Sequence, residues 1–224
     1  YEGRTIAGHI AGKESKSGVI GYIASFPIPE VVRGINAFML AAQKVNPDIK
    51  VKIIWAFTWY DPGKEADAAQ TLINQGADII VQHTDTYAPC QVAQKNGVKA
   101  FGQASNQYDF CPDAHLTAII DEWGPYYVAR AKAVADGTWE STDTWKGLES
   151  GMVEMAPYRN MHPDTKFEAI ALQKALTKGD VHSFEGPIYN QAGELMVSEG
   201  EVADDGMLAG MNWYVQGIDG SLPQ

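Results

Sequence analysis

Short apolar runs and amphipathic helical stretches alternate through the first half of the chain, joined by connections of only a few residues. Gly18 to Ile23 is a run rich in β-branched residues, and Glu30 to Val45 carries Val31, Val32, Ile35, Phe38, Met39 and Ala42 at helical spacing. A strand is thus followed by a helix. The unit repeats as a strand over 50–56, a helix over 63–75, a strand over 78–82, a helix over 88–96 and a strand over 98–102. Strands apolar on both faces, linked by helices, fit a parallel sheet, because parallel neighbours need a crossover and the crossovers cover both faces. Turn chemistry agrees: Asn46-Pro47-Asp48, Gln75-Gly76-Ala77-Asp78 and Asn96-Gly97 follow three of the helices. The fold class expected is α/β, a parallel sheet with helices on both faces.

From Ser105 the rhythm changes. A polar loop containing Cys111-Pro112-Asp113 leads to an apolar run, Leu116 to Ile120, then to an amphipathic helix from about Glu122 to Ala135 that stops at Asp136-Gly137. Gly151 to Ala156 reads as a strand, Pro163 to Leu176 as a helix, and the remainder as short strands and turns. Such a tail does not extend a simple doubly wound sheet. The expected division is a ligand-binding lobe over 1–120, a crossover helix packing with another lobe over 121–150, and a return segment completing both lobes over 151–224. The opening residues, Tyr1 to Gly12, read as the middle of a helix without a capping residue, and so as a piece of a longer precursor.

A net charge of -11 argues against a nucleic-acid or anionic-membrane partner, since both need a basic surface. No apolar run approaches the roughly 20 residues of a membrane span. Cys90 opens a helix and Cys111 lies in the loop after the next strand, so one disulfide and two free thiols both remain open. Neither cysteine has a second thiol or histidine at ligand spacing, which argues against a metal site.

Open α/β sheets bind ligands where the strands end, because the following loops and helix amino ends converge there. In this chain those loops contribute Ser25 and Phe26, then Phe57 to Asp61, then His83-Thr84-Asp85-Thr86-Tyr87, then Gln103-Ala104-Ser105-Asn106, then Asp121-Glu122-Trp123. Ring faces with a handful of hydrogen-bonding groups make a small-molecule pocket. Of the rings, Trp59 is the expected stacking platform, while Phe57 and Tyr60 suit a role in capping the sheet. Asp61, before Pro62, fits a helix cap. Asp121 fits a cap or a ligand acceptor equally well. An enzyme reading would use His83 as base with Asp85 or Asp121, and Ser25 or Ser105 as nucleophile, but Ser25 lies in Ala24-Ser25-Phe26-Pro27 and not in a Gly-x-Ser-x-Gly elbow. The first strand is followed by Ser25-Phe26-Pro27-Ile28-Pro29, with no glycine-rich phosphate loop, so no nucleotide cofactor is expected.

Several stretches together carry a family likeness: Tyr1-Glu2-Gly3-Arg4 with Ile10-Ala11-Gly12-Lys13, Gly18 to Ile23, Asn46-Pro47-Asp48, Asp61-Pro62-Gly63-Lys64, Gln75 to Ile80, Leu116 to Ile120 and Asp136-Gly137-Thr138-Trp139. In this order the chain resembles the basic membrane protein family of bacterial substrate-binding proteins, purine nucleoside receptors related to the type I periplasmic binding proteins. The resemblance implies one complete lobe plus part of a second, with most of the first lobe outside this chain. It further implies a periplasmic or lipid-anchored receptor at the outer face of the cytoplasmic membrane, which delivers its solute to an ABC transporter permease. The family stacks the purine between a ring from each lobe, and the ring from this lobe falls on Trp59. Two departures bear on the ligand. Gly102-Gln103-Ala104-Ser105-Asn106 stands where nucleoside-binding members have an Asp for the ribose hydroxyls, and Asp121 stands where they have a Lys. A carboxylate there suits the amine or ring N–H of a free base such as adenine. The expected site is therefore Trp59, Asp121, Ser25, Phe26, His83, Asp85, Ser105 and Trp123, with a nucleoside hydrolase or a ligand-sensing regulatory domain as the competing readings.

Overall fold

Two helices that begin and end close together set up one face of the sheet in the computed structural model, which describes residues 1–223. In α1 (Glu2–Glu14), Gly8 and Gly12 lie one turn apart and leave room for α2 (Pro29–Val45). A Cβ at Gly8 would run into the Phe38 backbone, and one at Gly12 into Ala42 and Val45. Pro29 opens α2 after an extended Ile28, a position where its fixed φ costs nothing and no intrahelical N–H is lost. Between and after these helices run β1 (Val19–Ala24), β2 (Lys50–Trp55), α3 (Pro62–Asn74), β3 (Ile79–His83), α4 (Ala88–Lys95), β4 (Lys99–Gly102) and β5 (His115–Asp121). Gly76 and Gly97, at φ +97 and +70, take the left-handed conformation that ends α3 and α4.

The strands form a seven-stranded sheet in the order β6-β5-β4-β3-β1-β2-β9, where β6 is Val153–Met155 and β9 is Ile218–Asp219. Every pairing is parallel except that of β5 with β6. Alternation along the strands sorts the core into two layers. Ile20, Tyr22, Val51, Ile79, Val81 and Phe101 meet α1 and α2, while Ile23, Ile80 and Ala100 meet Leu72 of α3 and Ala93 of α4. Phe38 of α2 is fully buried in the first layer, a burial worth about 1.5–3 kcal/mol. In the second layer Cys90 and Cys111 are disulfide-bonded, with Cα atoms 5.7 Å apart.

The later chain returns to the same body. Helix α6 (Pro163–Lys178) packs on α1, β7 (Ile188–Tyr189) pairs with β8 (Leu195–Val197), and α7 (Asp205–Ala209) lies against α2. Polar groups of α2 pin this return. Arg33 donates to the Leu208 carbonyl at 2.6 Å, and Asn36 donates to the Trp213 carbonyl at 2.8 Å while accepting from the Val215 N–H at 3.1 Å. Helix α5 (Trp123–Ala135) differs from the amphipathic expectation in that none of its residues is buried, because nothing among the described residues covers its apolar side. No helix among them is long and apolar enough to cross a membrane.

Candidate functional site

Trp59 sits in the turn between β2 and α3, at the carboxyl ends of the parallel strands. Its turn is tied down at both ends. Ala56 donates to the Ala24 carbonyl and Asp85 to the Trp59 carbonyl, each at 2.8 Å. Asp61 then caps α3, its carboxylate accepting from the Gly63 and Lys64 N–H groups at 3.1 and 3.0 Å. The Trp59 side chain packs at a tilt on Phe26, with centroids 5.8 Å apart, and edge-on to His83 at 6.1 Å. Trp59 itself is 36% exposed at these strand ends. Phe57 and Tyr60, on the same turn, point into solvent.

The same strand ends carry a set of buried polar groups. His83 ends β3, its Nε2 is 3.6 Å from the Glu30 carboxylate, and a Cβ at Gly34 would come within 3.3 Å of Nδ1. Burial first, and then the charge of Arg4, push the imidazole down to about 4, against the pull of Glu30. It is therefore neutral at ordinary pH. Ser25 Oγ, Gln82 Oε1, Thr84 Oγ1 and His83 Nδ1 are buried and have no hydrogen-bond partner among the described residues. Ala24 pairs with His83 in the sheet, so Ser25 and Thr84 each follow the end of one of two neighbouring strands. Neither Ser25 nor Ser105 is hydrogen-bonded to His83 among the described residues.

Arg4, quoted in the sequence only as part of a family stretch, is buried at the floor of this region. It reaches from α1 to the ends of β3 and β4, donating to the Gln82 carbonyl at 2.8 Å and to Gln103 Oε1. A cation three and seven residues before Ala7 and Ala11, on the buried stripe of a helix, was the available signal for it. Asp121 is the last residue of β5 and donates its N–H to the Ala104 carbonyl at 3.2 Å. Its carboxyl caps nothing: Glu122 precedes α5 and no side chain caps that helix. Burial raises the Asp121 carboxyl above its ordinary value, and Arg4 offsets part of this. Asp85 is raised as well, by partial burial and then by Glu65 and Glu30. The structure thus brings Trp59, Phe26, His83, Ser25 and Asp85 together, with Asp121 and the exposed Ser105 at the neighbouring strand ends. Trp123 stands apart, stacked on Tyr127 at 5.7 Å on the surface of α5.

The substrate-binding protein family of ABC transporters described as PnrA-like matches residues 1–182. This chain belongs to that family. A purine-binding protein of Brucella abortus (strain 2308) is 57% identical over 224 residues, covering all of this chain and 64% of its own length. A putative ABC transporter glucose-binding protein of Haloferax volcanii is 31% identical over the whole chain and 55% of its own length. The chain therefore spans less than two thirds of the length of these relatives. An ABC transporter solute-binding protein from Aeropyrum pernix K1 shares the fold, with a TM-score of 0.71 over 81% of this chain and 63% of that one at 14% identity. The PnrA-like family is one of solute-binding proteins and not of enzymes, so the hydrolase reading of His83 with Ser25 or Ser105 is set aside.

Proposed function

We propose that the chain forms part of the solute-binding component of a bacterial ABC importer and holds a purine, with a free base such as adenine favoured over a nucleoside. The observation that carries this reading is the Trp59 indole, part-exposed at the strand ends and packed against Phe26 and His83, a ring face on which a flat ligand can stack. A bare aromatic bicycle covers such a face fully, and stacking adds on the order of 1 kcal/mol beyond area burial. Asp121 supplies an acceptor for an exocyclic amine or ring N–H, and no second carboxylate stands at Gln103 to Asn106 for ribose hydroxyls. The glucose-binding name of one relative fits less well, because the purine-binding relative is nearer in sequence. The buried disulfide suits the periplasm or the outer face of the cytoplasmic membrane, where thiols are oxidised. Delivery to a transporter permease completes the role.

Titration calorimetry of the full-length protein with adenine, adenosine, inosine and glucose tests this. Adenine is expected to bind at micromolar affinity or tighter, about -8 kcal/mol. Trp59→Ala is expected to weaken it at least tenfold, and Asp121→Asn to narrow the preference for adenine over adenosine. Turnover of a nucleoside, or binding of glucose alone, overturns the reading.

A further inference from the structure

Glu65 is a fully buried carboxylate in the first turn of α3. No lysine, arginine or histidine lies within salt-bridge distance of it among the described residues. Its charge is instead met by hydrogen-bond donors from two separate loops. Oε1 accepts from the Asp61 N–H at 3.0 Å, and Oε2 accepts from the Thr86 N–H at 3.2 Å and the Thr86 hydroxyl at 2.8 Å. Asp61 closes the turn that carries Trp59, and Thr86 closes the turn that carries His83 and Asp85. The amino end of α3 adds a favourable field for the anion.

A buried carboxylate without a counter-ion is a costly way to hold a fold together, since removing an ion from water is repaid only by good geometry. Here the geometry is good, and it spans the two loops that frame the crevice. A direct backbone bond, from Asp85 N–H to the Trp59 carbonyl, lies on the same seam. Gln82 strengthens one side of it, donating through Nε2 to the carbonyls of Thr84 and Thr86 at 2.8 Å each.

We infer that Glu65 is a positioning residue for the ligand platform: it clamps the Trp59 turn to the His83–Asp85 turn, so that the indole face is fixed before ligand arrives. The inference rests on the purine reading above and deepens it. It differs from a plain stability role, because a clamp sets affinity through Trp59 and not through the amount of folded protein. An amide at this position keeps one acceptor but turns an NH2 toward one of the two loops, so it opens the seam without emptying the site.

Adenine affinity should be measured on the full-length protein for Glu65→Gln, Trp59→Ala and the double variant, well below each thermal midpoint. Glu65→Gln is expected to weaken binding about tenfold alone and less than about twofold when Trp59 is already absent. Leu72→Ala, at the far end of the same helix, serves as a control that lowers stability and leaves affinity within about twofold. Thr86→Val removes one donor and should move affinity in the same direction by less. An equal loss from Glu65→Gln with and without Trp59, or an equal loss from Leu72→Ala, overturns the inference. Acrylamide quenching of the Trp59 fluorescence, taken as the difference from a Trp59→Phe counterpart, gives a reading that needs no ligand. Glu65→Gln should make Trp59 more accessible, and unchanged quenching overturns the clamp. If the unaltered protein binds no purine while the quenching responds, the purine reading fails and the clamp stands.

Discussion

Helices α2 and α5 are both rich in apolar residues, and the fold treats them in opposite ways. In α2, Val31, Val32, Ile35, Phe38 and Met39 are buried between the sheet and the returning chain, and even Arg33 and Asn36 are enclosed because they bond its carbonyls. In α5, Trp123, Tyr127, Val128 and Val134 are all exposed, and Trp123 packs on Tyr126 and Tyr127 of the same helix. Apolar composition therefore records that a helix face is meant to be covered, while burial records whether these residues do the covering. We propose that α5 belongs to the crossover toward a second lobe, as the sequence division at 121–150 expects.

The largest expected effect separates the two helices directly. Phe38→Ala should cost about 3–5 kcal/mol in urea unfolding, since it empties a closed part of the core, whereas a loss below about 1 kcal/mol would show α2 to be loosely packed. Next comes the disulfide, which closes a loop of sequence separation 21 within the packed half. Replacing Cys90 and Cys111 together by Ser should cost about 3 kcal/mol on the chain-entropy account, and no change would mean the thiols are not joined in solution.

Acid offers a third contrast. His83 and His115 are both held down to about 4 against an ordinary 6.5, in each case first by burial and then by an arginine, Arg4 or Arg159. As pH falls the unfolded chain takes up protons before the folded one, so stability is full above about 6.5 and is lost progressively toward about 4. Unfolding free energies at a series of pH values should fall steadily across that window, and a flat profile would mean the imidazoles are solvated. The smallest effect falls on α5: Tyr127→Ala should change stability by no more than about 0.5 kcal/mol in this chain. A loss comparable to that of Phe38→Ala would break the comparison.

Much of this was legible in the residues because two periodicities, near 3.6 and 2, alternate without ambiguity through residue 102. The parallel sheet placed the strand-end loops on one edge, and Trp59, Phe26, His83, Ser25 and Asp85 share that edge. What stayed hidden were the groups that act across sequence distance. Arg4 meets Gln82 at a separation of 78, and Glu65 meets Thr86 at 21. Glu65 in particular looks like any acidic residue in a first helical turn, and only the return of β3 beside β1 turns it into a bridge. The exposure of α5 was likewise beyond reach, since a helical wheel shows an apolar stripe and not what covers it.

The position of β9 has a consequence for how such a chain is made. Val51 pairs with Ile218, so the neighbour of β2 is synthesised long after β2 itself. Until then, one side of β2 offers bare N–H and C=O groups along a strand whose flanks are already assembling, an invitation to any other extended chain. The two-residue strand that finally covers part of it acts less as a structural member than as a late seal, and a nascent chain halted before Ile218 is expected to be the form most prone to associate.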